Sequence, residues 1–228
     1  MTKYINDGKQ VGFWDDYYLR KPKLMPEADP ASFQPVGEWF GKDHNNVYFL
    51  YNIVTGADPK SFVYLGGYNC QWAKDKNFAY YFWPTKAASQ YKVLKSQSLD
   101  EFSIIPESKF DEYAKDKEAV YYRGQKIRNA DPATFQIMIS DRIGEVSGAF
   151  SYNFAKDRSH IYFQGKEIKE ADYNSFRVVH APGLGNDEYG IDRAGAFYES
   201  PRNGKLTRIS HSDLPIEIEN YLSDKKVL

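Results

Sequence analysis

One short pattern, an aromatic residue, a small residue, a third position that is usually lysine, and aspartate, recurs down the chain. It reads FGKD at Phe40, WAKD at Trp72, YAKD at Tyr113, FAKD at Phe154 and, more weakly, YGID at Tyr189. The aspartates, Asp43, Asp75, Asp116, Asp157 and Asp192, follow one another at 32, 41, 41 and 35 residues. A period of that length marks a module repeated with loop insertions, and such a module cannot bury its apolar face alone.

After each Asp come three turn-like residues and then a β-branched or aromatic triplet: Val47–Phe49, Ala79–Tyr81, Val120–Tyr122, Ile161–Phe163 and Ala196–Tyr198. These triplets read as strands. Asp at the head of a four-residue turn accepts the amides that follow it. The fourth turn position, held by Asn46, Phe78, Ala119, His160 and Gly195, is expected to suit residues that tolerate a left-handed backbone, as Asn46, His160 and Gly195 do. Gly124 and Gly165 mark a second tight turn, so that the chain doubles back once more. Fifteen residues past Asp43, Asp116 and Asp157 stand Asp58, Asp131 and Asp172, in ADPKSF, ADPATF and ADYNSF. Asp followed by Pro is a helix N-cap with proline at the first helical position, so each segment is expected to form one helical turn that points Phe62, Phe135 or Phe176 inward. Repeat two reaches the same point as QSLDEF, with Ser98 at the Asp position, after eight extra residues. A lone ADPASF at Ala28–Phe33 reads as the tail of a degraded leading repeat. The fold expected is mainly β: about five β-meander modules with short helical turns, stacked or propeller-like. Residues 1–38 are expected to form a degenerate N-terminal half-repeat or cap, packed as one domain with repeats over 39–228. SDLPIEIENYLSDKK repeats the capping signal at Ser212 and is expected to close the array as a short helix.

A chain of 228 residues buries roughly 70% or more of its unfolded surface, so a real core is expected. With 17% aromatic residues, including 19 Tyr, rings must supply most of its packing. Thirty basic and 31 acidic residues nearly cancel, which argues against direct nucleic-acid binding and against an anionic membrane as partner. The N-terminal MTKYINDGKQVGFW has no apolar signal core. One cysteine, Cys70, forms no internal disulfide and reads as a small buried hydrophobe, fitting a reducing, cytoplasmic compartment.

In the order turn, tyrosine pair and ADP, the segments DKNFAYY at Asp75–Tyr81 and DKEAVYY at Asp116–Tyr122 resemble the bacterial DKNYY repeat family, over roughly residues 39–200. The resemblance brings no catalytic motif. It implies a cytoplasmic immunity protein from a toxin or type VI secretion neighbourhood, a non-catalytic chain that binds and neutralises a cognate protein toxin such as a nuclease. The alternatives are a general interaction scaffold and an enzyme whose site is assembled between repeats.

The residues give little support to catalysis. A catalytic pair is made once in one cleft, whereas Lys-Asp occurs four times beside a turn signature, which favours Asp as turn acceptor and Lys as a solvated strand residue. Calcium-loop and zinc spacings are absent around the aspartates and the four histidines, so no metal or cofactor is expected; His44 and His160 fall in turns. APGLGND at Ala181–Asp187 lacks a phosphate-loop ending and reads as an exposed loop. Candidate partner-binding residues are those where copies break the rule. At the second turn, repeat one has Leu50-Tyr51 and repeat two has Phe82-Trp83, which together could make an exposed aromatic patch. The alternative is that Pro84–Tyr91 folds back and covers them. A second candidate surface is acidic, with Asp15, Asp16, Asp187 and Glu188 placed to meet a basic toxin groove.

Overall fold

The computed structural model describes residues 3–14, 19, 21–67, 71–84, 89–106, 112–143, 153–181 and 188–224. Over the described residues the protein is mostly β, 40% strand with one α-helix, and is built of several small antiparallel sheets, none of which closes into a barrel there. A three-stranded sheet, Tyr4–Asn6, Val11–Phe13 and Lys23–Leu24, comes first. Five meanders follow, their strands paired in chain order. Module 1 is Gln34–Pro35, Phe40–Lys42, Val47–Phe49 and Asn52–Ile53; module 2 is Val63–Gly66, Gln71–Lys74, Ala79–Pro84 and Ser89–Leu94. Module 3 is Ser103–Ile104, Tyr113–Lys115, Val120–Tyr122 and Gln125–Lys126, and module 4 is Gln136–Ile137, Phe154–Lys156, Ile161–Phe163 and Lys166–Glu167. Module 5 is Arg177–His180, Glu188–Asp192, Gly195–Glu199 and Leu206–Ile209, with Asp141–Arg142 added in parallel along its first strand.

The chain divides into two compact units, one of Met1–Pro106 with Phe110–Lys126, the other of Glu107–Lys109 with Ile127–Leu228. In the first unit, successive residues of a strand point to opposite faces, and both faces of module 2 are buried. Tyr80 and Phe82 face module 1, where the Phe82 ring lies 4.7 Å from both Phe40 and Phe49. Tyr81 and Trp72 face the other way, and Trp72 packs 5.7 Å from Phe102, which in turn lies 5.5 Å from Tyr121 of module 3. Sheets therefore stack face on face in chain order, and each ring so buried stabilises the stack by roughly 1.5–3 kcal/mol. The N-terminal sheet joins the same core through Tyr4, Val11, Phe13 and Met25.

In the second unit, Phe154, Phe163, Phe176 and Phe197 fill the space between modules 4 and 5. The far face of module 5 is covered by the helix Ile216–Asp224, whose Ile218 and Leu222, one turn apart, are fully buried with Tyr189, Ile191 and Ala196. Glu217 and Glu219 sit in its first turn, where acidic side chains suit the helix dipole. The expected closing helix is thus present, but it starts after Pro215; Ser212 lies in a preceding 3-10 turn, His211–Asp213, and does not cap it.

Small residues in the repeat have a packing cause. At Gly41 a Cβ would stand 2.3 Å from Cζ of Phe33, and at Gly190 a Cβ would stand 2.3 Å from Cζ of Phe176. The phenylalanine of the ADP-type turn lies over the small position of the strand beside it.

Candidate functional site

Each repeated aspartate closes its hairpin turn with one carboxylate oxygen. Oδ1 of Asp43 accepts the amides of Asn45 and Asn46 at 2.8 and 2.7 Å, and Asp75, Asp116 and Asp157 repeat both bonds. Because the side chain closes the turn, Asn46, Phe78, Ala119 and His160 need no left-handed backbone and do not adopt one, contrary to expectation. Of the five residues at that position only Gly195 has a positive φ, 149°, and the left-handed conformation otherwise appears at the second turn, at Leu50, Arg123 and Gln164 with φ of 56, 46 and 47°, and at Gly124 and Gly165. Asp7 in the N-terminal sheet closes a turn of the same kind by accepting from Lys9 and Gln10, so the leading repeat keeps its hairpin.

The other oxygen, Oδ2, is a latch. It accepts the hydroxyl of the tyrosine five residues on, at 2.8 Å for Tyr48, 2.7 Å for Tyr80, 2.9 Å for Tyr121 and 2.8 Å for Tyr162. It also accepts the backbone amide of the ADP aspartate that precedes it: Asp29 to Asp43, Asp58 to Asp75, Asp131 to Asp157 and Asp172 to Asp192, at 2.8–3.0 Å. A hydroxyl three residues into the ADP turn, on Ser32, Ser61, Thr134 or Ser175, donates to the ADP carboxylate and accepts the amide just after the latch aspartate. The side chain at that next position, His44, Lys76, Arg158 or Arg193, pairs with the same ADP carboxylate. The ADP turn therefore belongs to the hairpin that follows it. ADPASF at Ala28–Phe33 opens module 1 and is no tail, a phase that the sequence signals by an ADP turn before the first Lys-Asp hairpin and none after the last repeat.

Burial opposes the charge on Asp157, yet the amides of Asp131, Ser159 and His160 and the Tyr162 hydroxyl hold its carboxyl at about 2. Asp43 is lowered by the corresponding bonds against the same burial. Burial and then the adjacent carboxylate push Tyr48, Tyr80, Tyr121 and Tyr162 well above the ordinary phenol range. These tyrosines are fixed donors. In module 5 the tyrosine is replaced by Phe197, and Arg208 supplies the donor, its Nη2 standing 3.0 and 3.3 Å from the two oxygens of Asp192. In module 3, Ser96 takes the place of the ADP amide, its Oγ donating to Asp116 at 2.6 Å while accepting the amide of Ser98.

The lysine before the latch aspartate is not simply solvated. Nζ of Lys42 donates to the carbonyl of Pro59 at 2.9 Å, and Nζ of Lys74 to those of Leu99, Asp100 and Phe102 at 2.7, 3.1 and 3.2 Å. Aspartate bonds back to its own ADP turn and lysine forward to the next. At Lys42-Asp43 and Lys74-Asp75 the pair thus sits on a seam between neighbouring modules, its lysine bound to backbone carbonyls of the module ahead and its aspartate to its own ADP turn and tyrosine. Among the described residues no cluster of three or more His, Cys, Asp or Glu is placed to hold a metal, and no helix is long and apolar enough to cross a membrane.

The candidate partner residues fall into three groups. Phe82 and Leu50 are corrections to the expected exposed patch, being 0% and 1% exposed. Phe82 is not in a turn at all. The extra residues of repeat two lengthen its hairpin, so that Ala79–Pro84 runs straight through and pairs with Ser89–Leu94, and Tyr91 covers the Phe82 ring at 5.3 Å. Tyr51 and Trp83 remain half-buried. Glu188 is buried, accepting from the backbone and side-chain nitrogens of Asn153 at 3.0 and 2.9 Å, and so is not surface charge. Asp15, Asp16 and Asp187, with Cys70 and most of Ala181–Asp187, lie outside the described residues.

Trp83 opens onto a groove of about 270 Å³ lined by Tyr81, Trp83, Lys92 and Arg123. The Tyr81 and Trp83 rings stand 5.5 Å apart, and Nζ of Lys92 lies 5.6 Å from the indole centroid and donates to the Arg123 carbonyl at 3.0 Å. Arg123 lies over Tyr122 and pairs with Glu112. Gly124 makes the approach feasible, since a Cβ there would stand 2.9 Å from Cβ of Tyr81, at φ +71°. The sequence signal for Lys92 and Arg123 in this groove is the eight-residue insertion, which keeps Trp83 on a strand where repeats three and four turn.

The DKNYY family model matches residues 4–147 and 154–226. This chain belongs to the DKNYY family. Membership extends well outside the 39–200 stretch where the repeats are plain, as the Asp7 hairpin and the closing helix make physically reasonable. Among curated proteins and among solved structures nothing matches.

Proposed function

We propose that this DKNYY protein is a non-catalytic bacterial immunity protein that binds and neutralises a cognate toxin in the cytosol. The observation that supports binding over chemistry is the latch. The repeated carboxylates and tyrosines, the groups from which an active site would most readily be made, are taken up by one another and by backbone amides in module after module, and Lys42 and Lys74 by backbone carbonyls. What is left for function is surface, above all where the module rule is broken, and the Trp83 groove is such a place. Indole and phenol walls with a cationic rim are the composition of a binding hot spot. Stacked modules give that surface a rigid base.

The test is co-expression with the product of the neighbouring gene. Rescue of growth and co-purification of a stable complex are the expected results. Rescue without a complex, or a complex that leaves the neighbour lethal, overturns the reading.

A further inference from the structure

We propose that the groove walled by Tyr81 and Trp83 and rimmed by Lys92 and Arg123 receives an acidic segment of the partner protein, one carboxylate entering between the two cations and an adjacent apolar side chain lying on the indole. The proposal deepens the binding reading above and rests on it for the existence of a partner.

Charge is the reason to choose this occupant. Arg123 already shares its guanidinium with Glu112, but the Lys92 ammonium meets a carbonyl and a ring, and no carboxylate among the described residues. A cation held at the mouth of an aromatic pocket attracts an anion. Arg123 side chain is 53% exposed and so within reach of a partner group. The volume of about 270 Å³ suits one or two side chains and is small for a drug-sized or dinucleotide ligand.

A single-stranded nucleic acid would also find stacking and cations here. It requires a basic track to follow its backbone, however, and the chain as a whole carries a formal charge of −1 with 30 basic against 31 acidic residues. An acidic peptide segment needs only the local pair. The polarity is the reverse of the acidic surface expected from sequence for a basic toxin groove.

Fluorescence anisotropy of the full chain with labelled seven-residue peptides tests this. The probes are alternating Asp and Phe, the same peptide with Lys for Asp, and an oligo-dT of seven nucleotides. The Asp/Phe peptide is expected to bind in preference to both others, to weaken with salt, and to lose about tenfold or more with Trp83→Ala or Lys92→Gln. Lys92→Glu is expected to move the preference toward the Lys/Phe peptide while the urea midpoint stays near wild type. Equal binding of acidic and basic peptides, preference for oligo-dT, or indifference to Lys92→Gln overturns the proposal. Partner capture separates the two readings: a toxin complex unaffected by Trp83→Ala and Lys92→Gln overturns the groove alone. Acidic-peptide selectivity that vanishes in Lys92→Gln, in a chain that rescues no neighbour, overturns immunity and leaves the groove's chemistry standing.

Discussion

The backbone amide of Asp131 donates to Oδ2 of Asp157 at 3.0 Å across 26 positions of chain. The same oxygen takes the Tyr162 hydroxyl, while Oδ1 takes the amides of Ser159 and His160. Removing that carboxylate leaves four donors without their acceptor, the Tyr162 hydroxyl among them buried. Asp157→Ala is expected to destabilise the protein by about 3 kcal/mol or more, and Tyr162→Phe, which removes one donor, by about 1–2 kcal/mol. Urea midpoints at pH 7 give both values; an Asp157→Ala midpoint within error of wild type would show that the latch is ornamental.

Acid should release the same latch. The folded carboxyl of Asp157 titrates at about 2, below the roughly 3.9 of an unfolded Asp, and Asp43 is shifted in the same direction. A depressed folded value contributes stability in full above the unfolded value and loses it as pH falls toward the folded one. Stability is therefore expected to hold down to about pH 4 and to drop between about 4 and 2. Asp157→Asn should flatten that drop relative to wild type, as read from urea midpoints taken along the pH series.

Gly190 has no room for a methyl group, with Phe176 and Phe154 rings on either side of the position. Gly190→Ala is expected to cost about 1–3 kcal/mol by overpacking. Trimming Phe176 to Leu in the same chain should recover part of it, so a double-mutant cycle gives a favourable coupling. Strict additivity of the two changes would rule out the contact as the cause.

Leu222 and Ile218 cover the outer face of the last sheet. Leu222→Ala is expected to cost about 2–5 kcal/mol, as for other fully buried leucines. Deleting the helix from Pro215 onward should expose Tyr189, Ile191 and Ala196 and lead to self-association, seen as a shift to larger species in light scattering. A truncated chain that stays monomeric at the same concentration would show that the helix is not a cap.

Local features of the modules were open to reading because their causes lie within a few residues. Asp43, Asp75, Asp116 and Asp157 close turns with amides two and three positions on, and Phe62, Phe135 and Phe176 turn inward one helical turn after their cap. The phase of the module is not legible from the spacing of ADP and KD within one repeat. Its decisive bond joins residues 14–26 apart, across loops of unequal length, and nothing local to Asp29 or Asp43 announces it. Phe82 misled for a related reason. Aligned with Arg123 and Gln164 it sits at a turn, but an insertion further along lengthens its strand and turns the ring into the core. Tyr91 within that insertion supplies the cover, so one change of length explains both the buried Phe82 and the open Trp83 groove.

Latch partners in modules 1, 2, 4 and 5 are separated by 14, 17, 26 and 20 positions, yet their bond stays between 2.8 and 3.0 Å. Closing the longest of these loops rather than the shortest costs only about 0.5 kcal/mol in chain entropy. The segment between an ADP turn and the hairpin it latches is thus a place where new sequence can be written without loosening the frame. A short epitope inserted after the first strand of a module would be held at both ends by bonds that do not depend on what it says, which makes the array a natural display scaffold.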